Sequence, residues 1–386
     1  MRKTVAFFVR HFTERGTEIS TYQYALFNQE ILKNKSIIIA YNWNNTLEKK
    51  SFINTSKSTF TDKFKVIEIK DIRKMKEIIE EENISHAYIQ SHGSHKDFYQ
   101  LHARYIWGNC ITTYHYVFGP MIRQGSKVRC VIGDHLNERF NKRIPVLPYI
   151  VDRLENFGDM RDELNIPKDG LVFGRHGALT TFDINFVHKT IEKVLRKEQN
   201  IYFIFLNTEK FMSHKNIIYL PKTIDTKFKS KFILSCDAMI HAREDGETFG
   251  LAIAEFSSLN KPIITYAKSK DKEHLKILDH KAIQYSTEDQ LEDIFVNFKK
   301  YYEPNLDWNC YKMYEPHKVM KEFDSICLNP KNKSLKEKFL ELILDLPWEI
   351  YIPLKSRLKV TFFSIVKSLP ISLRSSIKYL IKNVYH

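Results

Sequence analysis

The sequence predicts an α/β fold built from two parallel-sheet domains, and three observations carry that expectation. Short β-branched or aromatic runs alternate with helix-spaced segments, the pattern of strands joined by crossover helices. The alternation breaks once, at Ile144-Pro-Val-Leu-Pro-Tyr-Ile-Val-Asp152, where two prolines disfavour helix, and then restarts. At 386 residues the chain is long for one compact domain and natural for two. The expected organisation is a first domain over 1–150, a second over 151–325, and a basic helical extension over 326–386.

In the first half, Thr4–Val9 reads as a buried strand followed by a polar loop that contains Gly16. Ile19, Tyr22, Ala25, Leu26 and Ile31 then fall at helical spacing across 18–32. Lys35–Tyr41, Phe64–Ile69, Ala87–Gln90, Ile111–Val117 and Lys127–Ile132 read as further strands, with helices over 71–82 and 98–110. The second half repeats the pattern. Strands are expected at 171–173, 201–206, 217–220, 238–241 and 262–266, and helices at 186–196, 227–234 and 251–259.

Composition excludes several classes. Hydrophobic residues at 43% and aromatics at 13% are ample for two cores, so a disordered chain is ruled out. Twelve Gly and 12 Pro exclude a collagenous or low-complexity chain. Five cysteines, odd in number and without a C-x-x-C, argue against a disulfide framework or cysteine zinc site and favour a reducing, cytoplasmic setting. The apolar run at the N-terminus is too short for a signal segment, and no uncharged run approaches the roughly 20 residues of a spanning helix.

The net charge of +14 is unevenly placed. Lys355, Arg357, Lys359, Lys367, Arg374, Lys378 and Lys382 fall in 351–386 with no acid among them, so half the excess sits in the tail. Leu373, Ile377, Leu380, Ile381 and Val384 recur there at helical spacing. Two readings stay open: a helix packed across both domains, or contact with an anionic membrane surface. Nucleic acid is not an expected partner, because such charge would spread over a folded face with interleaved aromatics.

The most informative stretch runs from Met239 to Thr265. A strand ends at His241, an acidic loop with two glycines follows, and a helix opens near Gly250. Loops at the carboxyl ends of parallel strands bind ligands, and helix N-termini suit anions. Glu255 falls inside the apolar run Leu251, Ala252, Ile253, Ala254 and Phe256, a costly place for an unpartnered carboxylate. No P-loop, dinucleotide-binding or nucleophile-elbow motif is present. His92-Gly-Ser-His95 reads as a polar turn, and no D-x-D occurs.

Glu247-Thr-Phe-Gly-Leu-Ala-Ile-Ala-Glu255, followed by Asn260-Lys-Pro-Ile-Ile264, resembles the E-x7-E signature of retaining glycosyltransferases of the GT-B fold, family 4 in particular. Thr248 stands where the family usually has Gly, and Asn260-Lys261 replaces its small-Gly pair. The resemblance implies two Rossmann-like domains facing across a cleft, with a helical C-terminal extension. It implies a metal-independent enzyme without other cofactors that retains configuration. The sugar would pass from a nucleotide-sugar to a glycan, a lipid-linked or another hydroxyl acceptor. The alternative is a catalytically degenerate GT-B protein that binds glycan or nucleotide without transfer.

Carried over by position, the resemblance puts Glu247 beside the donor sugar, Thr248, Phe249, Gly250 and Leu251 on the diphosphate, and Glu255 on the ribose hydroxyls. Val172-Phe-Gly-Arg-His-Gly177 matches the opening of the family's second domain, which makes Arg175 the diphosphate-neutralising residue, with Gly177 in the donor loop. The family's usual Lys about five residues on is missing, and Arg243 or Lys222 is the expected substitute. Thr112-Thr-Tyr-His-Tyr-Val-Phe-Gly119 resembles the T-x-H strand end whose His, here His115, faces the donor sugar across the cleft. The loop 10–17 takes the place of the family's Gly-rich first loop, with Gly16 and Thr17 on the acceptor side and Glu18 opening the next helix.

Overall fold

The structure is a computed structural model that describes residues 2–10, 12–13, 15–41, 57–91, 106–119, 126–139 and 144–330. In the first domain the chain runs β1 (Thr4–Val9), α1 (Gly16–Glu30), β2 (Lys35–Tyr41), α2 (Lys57–Thr61), β3 (Lys65–Ile69), α3 (Met75–Glu81), β4 (His86–Ser91), β5 (Ile111–Tyr116), β6 (Val128–Val131) and α4 (Asp134–Arg139). The six strands are parallel in the order β3-β2-β1-β4-β5-β6. Five of the six residues of β1 are buried, as expected of a strand covered on both faces.

The second domain repeats this plan. It runs β7 (Leu171–His176), α5 (Asn185–Lys197), β8 (Ile201–Leu206), β9 (Ile217–Leu220), α6 (Thr226–Ser235), β10 (Ala238–His241) and β11 (Gly246–Glu247). It continues with α7 (Leu251–Ser258), β12 (Ile263–Tyr266), β13 (Asp271–Lys272), α8 (Glu273–Leu278), β14 (Ile283–Tyr285) and α9 (Glu288–Val296). Its six-stranded sheet has the order β14-β12-β10-β7-β8-β9, and β11 and β13 form a separate parallel ribbon. Sequence patterning does not predict β14, whose three residues alternate too briefly to register. Residues 98–105 of the expected helix over 98–110 lie outside the described residues, as do His92 and His95.

Both sheets reverse their strand order at one place: between β1 and β4 in the first, and between β7 and β10 in the second. Ligands of open parallel sheets bind beyond the carboxyl ends of the strands at such reversals. Gly16 and Thr17 follow β1, Arg175 and Gly177 lie at the end of β7, and the run from Arg243 to Glu255 follows β10, whereas His115 lies on β5.

The chain crosses between the domains twice. Residues 144–150 first run along β6, where the Leu147 amide donates to the Val131 carbonyl at 2.8 Å. The second crossing corrects the boundaries read from sequence. Residues 316–325, assigned there to the second domain, form α10 (Pro316–Phe323) and the π-helical turn Asp324–Leu328, and both pack into the core of the first domain. The Phe323 ring stacks on Phe7 at 6.1 Å and lies 5.1 and 5.4 Å from Tyr24 and Tyr88. Phe323→Ala is expected to destabilise the first domain by about 3–5 kcal/mol, the cost of a fully buried ring and its cavity. Denaturant titration followed by near-UV circular dichroism checks this, and a loss under about 1 kcal/mol would show that α10 is only lightly seated.

Polar contacts also span the domains directly. The His135 amide donates to Glu273 Oε2 at 2.6 Å, and Arg139 Nη1 to Asp271 Oδ1 at 2.6 Å. These tie α4 of the first domain to β13 and α8 of the second. No helix among the described residues is long and apolar enough to cross a membrane. The tail over 351–386 lies outside the described residues.

Candidate active site

The site forms where β7 and β10 lie side by side. β7 delivers Arg175 and His176 to its carboxyl end, and β10 ends at His241. The loop after β10 is folded back by the β11–β13 ribbon, and Gly246 makes this possible. Its φ is +70°, and a Cβ there would sit 2.0 Å from the Asp271 carbonyl oxygen, so no other residue fits. Gly250, at φ +89° and ψ +65°, then turns the chain into α7. The Tyr311 hydroxyl donates to the Phe249 carbonyl at 2.8 Å and fixes the loop from behind. Thr248 and Phe249 are buried, and Leu251 opens the helix. The first-turn amides of α7 have no intrahelical partner, and together with the helix dipole they offer an anion site over the β7–β10 crevice.

Two carboxylates flank that helix end. Glu247 accepts from Arg243 Nη1 at 2.9 Å, and His241 Nε2 stands 3.6 Å from the same oxygen. Burial works against the charged form of Glu247, but His241 and Arg243 more than offset it and hold the carboxyl down to about 2. Glu255 accepts from Lys229 Nζ at 2.7 Å, and its other oxygen lies 2.8 Å from His176 Nε2. Burial again opposes ionisation, and Lys229 and His176 outweigh it to bring this carboxyl to about 2. Glu255, which the resemblance places on ribose hydroxyls, thus also has a cationic partner, Lys229, in its own domain.

Arg175 differs from expectation. It is only 3% exposed, and both terminal nitrogens are engaged by neutral groups. Nη1 donates to the Asn207 carbonyl and Thr208 Oγ1, at 3.1 and 2.6 Å, and Nη2 to the Ala178 carbonyl and Thr181 Oγ1, at 2.9 and 2.8 Å. The guanidinium thus locks the loops after β7 and β8 together, and it faces the site as a charge more than as a free donor. Burial lowers its pKa to about 10, partly countered by Glu247 and Asp183. Gly177 belongs to the same loop, and its carbonyl accepts from Asn207 Nδ2 at 2.7 Å.

Of the two cations expected to replace the missing lysine, Arg243 is at the site, whereas Lys222 is exposed. Sequence reasoning missed Lys229, which reaches Glu255 from a helix 26 residues away in the chain. Nothing local to Lys229 announces that contact. His241 was signalled more directly, as the last residue of the strand before the acidic loop.

On the first-domain side, Gly16 approaches α7. A Cβ on Gly16 would meet Leu251 Cδ1 at 3.5 Å, an ordinary contact, so the close approach inferred at this glycine does not require glycine. Thr17 Oγ1 donates to Glu18 Oε2 at 2.6 Å, and burial raises the Glu18 carboxyl despite that bond. His115 is the largest correction. The ring is 0% exposed, enclosed by Tyr24, Tyr88 and Tyr149, with Nδ1 2.6 Å from the Tyr88 hydroxyl. Burial pushes its pKa down to about 3, so it is a neutral member of the first core with no face open to a ligand. Tyr149 carries the contact across instead, its ring edge-on to Phe249 at 5.7 Å.

Solved structures share this fold. HepE from Anabaena, crystallised with UDP and glucose, is similar over 84% of this chain and 98% of its own, at 11% identity and a TM-score of 0.62. A glycosyltransferase from Rickettsia africae is similar over 88% and 97%, at 14% identity and a TM-score of 0.61. WaaG, a glycosyltransferase involved in lipopolysaccharide biosynthesis, is similar over 83% and 99%, at 13% identity and a TM-score of 0.52. The chain therefore has the GT-B fold, two Rossmann-like domains facing across a cleft. No protein-family model matches the chain, and no curated protein matches it by sequence.

Proposed function

We propose that the protein transfers a glycosyl group from a nucleoside diphosphate sugar to a hydroxyl of a glycan or lipid-linked acceptor, with retention and without a metal. One observation carries this reading most. The open N-terminus of α7 lies at the strand-order reversal of the second sheet, with Glu247 and Glu255 held ionised on either side and the first-domain loop at Gly16 against Leu251. Helix amides and dipole suit the diphosphate, and Arg175 and Arg243 add positive charge where negative charge grows on the leaving group. Glu247, fixed by Arg243, is an anion available to the donor sugar as positive character develops at its anomeric carbon. The acceptor enters from the first domain, past Thr17 and Glu18. The leaving phosphate can itself take the acceptor proton on the same face, so no protein base is required.

The GT-B neighbours support the reading, since HepE was crystallised with UDP and glucose. Isothermal titration with UDP and with UDP-glucose, each with and without EDTA, is the test. Binding of either that EDTA leaves unchanged is expected. Binding that EDTA abolishes would overturn the metal-independent mechanism, and no binding of any nucleotide sugar in a wider panel would overturn the transferase reading. Binding without turnover against any acceptor would favour the degenerate, binding-only protein.

A further inference from the structure

Behind Glu247 lies a buried polar chain that the proposed reaction does not use. His241 ends β10, Thr265 sits beside it on β12, and His274 belongs to α8. His241 Nδ1 lies 3.0 Å from Thr265 Oγ1, and Thr265 Oγ1 lies 3.2 Å from His274 Nε2. The two imidazole rings are 4.9 Å apart, and all three side chains are buried. Each end of the chain meets the same residue. His241 Nε2 faces the Glu247 carboxylate at 3.6 Å, and the Glu247 backbone faces the His274 ring. The outer nitrogens, His241 Nε2 and His274 Nδ1, are buried and make no hydrogen bond.

The proton count decides what this chain does. Two neutral imidazoles carry one N–H each, and the threonine adds one O–H. To close the run from carboxylate to His241, to Thr265, to His274 and on to the Glu247 backbone takes one proton more, because the groups that face its two ends are acceptors. Without it, one buried ring nitrogen presents a lone pair to an acceptor, a costly arrangement away from water. Other charged and titratable groups face this chain. Arg243 lies on the Glu247 carboxylate, Arg175 is within electrostatic reach of Glu247 and Asp183, and Tyr311 within reach of Glu247 and Glu273. The Tyr285 hydroxyl donates to the His241 carbonyl at 3.0 Å.

We infer that His241, Thr265 and His274 form a protonated relay that positions Glu247, gripping its carboxylate from one end and its backbone from the other. This rests on the proposed role of Glu247 in transfer, but the relay can be tested without any substrate. Full-length protein labelled with 13C at glutamate carboxyls is titrated by NMR, with Glu247 assigned through Glu247→Gln. In Thr265→Val and His274→Gln the Glu247 midpoint is expected to rise by about one pH unit, the value of one hydrogen bond to a charged group. Thr265→Ser, which restores the hydroxyl, is expected to restore the midpoint, which a merely loosened fold would not do. In parallel, 15N-histidine spectra at pH 7, with His241 and His274 assigned through their Gln variants, are expected to show one imidazolium between these two rings, lost in His241→Gln. Two neutral rings, or a Glu247 midpoint unmoved in Thr265→Val, would overturn the relay. Failure of UDP and UDP-glucose to bind would instead strike the transferase reading and leave these spectra interpretable.

Discussion

Glu247→Gln is expected to lower turnover of a nucleotide sugar by about 10²–10³-fold, the range seen when one preorganised electrostatic group is removed at a reacting centre. The same substitution is expected to leave UDP affinity unchanged or tighter. Glu247 is an anion beside the candidate diphosphate site, so neutralising it reduces repulsion of the ligand. Loss of turnover with intact UDP binding separates a chemical role from a damaged loop, whereas near-normal turnover would sink the assignment. A stability signature accompanies it. The Glu247 carboxyl is lowered from 4.5 to about 2 on folding, so its contribution is present above pH 4.5 and is lost as pH falls through 2. That contribution is on the order of 3 kcal/mol. The gap in Tm between wild type and Glu247→Gln should therefore narrow as pH falls through that window.

Burial pushes His115 down to about 3, which works in the same direction. The unfolded chain takes up its proton from about pH 6.5, so the folded state loses stability from there toward pH 3. Acid thus weakens the first domain through a neutral histidine before it reaches the site carboxylates. The enclosure of His115 and the charge on Glu247 are opposite answers to burial. One group has only tyrosines and backbone around it, while the other has Arg243 and His241.

The strands and the second-domain site loop were legible in the sequence because their signals are local. Runs such as Lys35–Tyr41 and Ile201–Leu206 carry their own β-branched patterning, and the two glycines of the Glu247 loop fall within a few residues of the strand end. What stayed hidden depends on contacts between distant segments. Lys229 reaches Glu255 from another helix, Arg175 spends its donors on Asn207 and Thr208 of a neighbouring loop, and α10 returns to the first domain after a full second domain has intervened. A histidine at a strand end reads the same whether its ring meets a ligand or a tyrosine. Only the position of Tyr88 and Tyr149 distinguishes the two for His115.

Gly246→Ala is expected to be the most damaging small substitution in the second domain. A positive φ costs an alanine about 1–2 kcal/mol, and here the added methyl also collides with backbone. Its carbon would lie 2.0 Å from the Asp271 carbonyl oxygen, an atom that cannot swing away as a side chain can. Relief requires the β11–β13 ribbon to part, with loss of the bond from the Asp271 amide to the Asp245 carbonyl at 2.7 Å. The displaced segment also carries Asp271 to Arg139 and Glu273 to the His135 amide, so the contact between the domains loosens together with the Glu247 loop. A stability loss of about 3–5 kcal/mol is expected, together with loss of UDP binding. Two other glycines calibrate the argument. In Gly250→Ala the methyl meets the Ile253 side-chain end at 3.2 Å and Glu247 Cβ and Cγ at 3.4 Å, side-chain atoms and no backbone, so the cost is mainly the backbone term of about 1–2 kcal/mol. In Gly16→Ala it meets Leu251 at van der Waals distance, and stability should hardly change. Denaturation of the three variants side by side is the measurement. Equal losses at Gly246 and Gly250 would show that the ribbon yields freely, and that the site loop is not held by the close approach of Gly246 to Asp271.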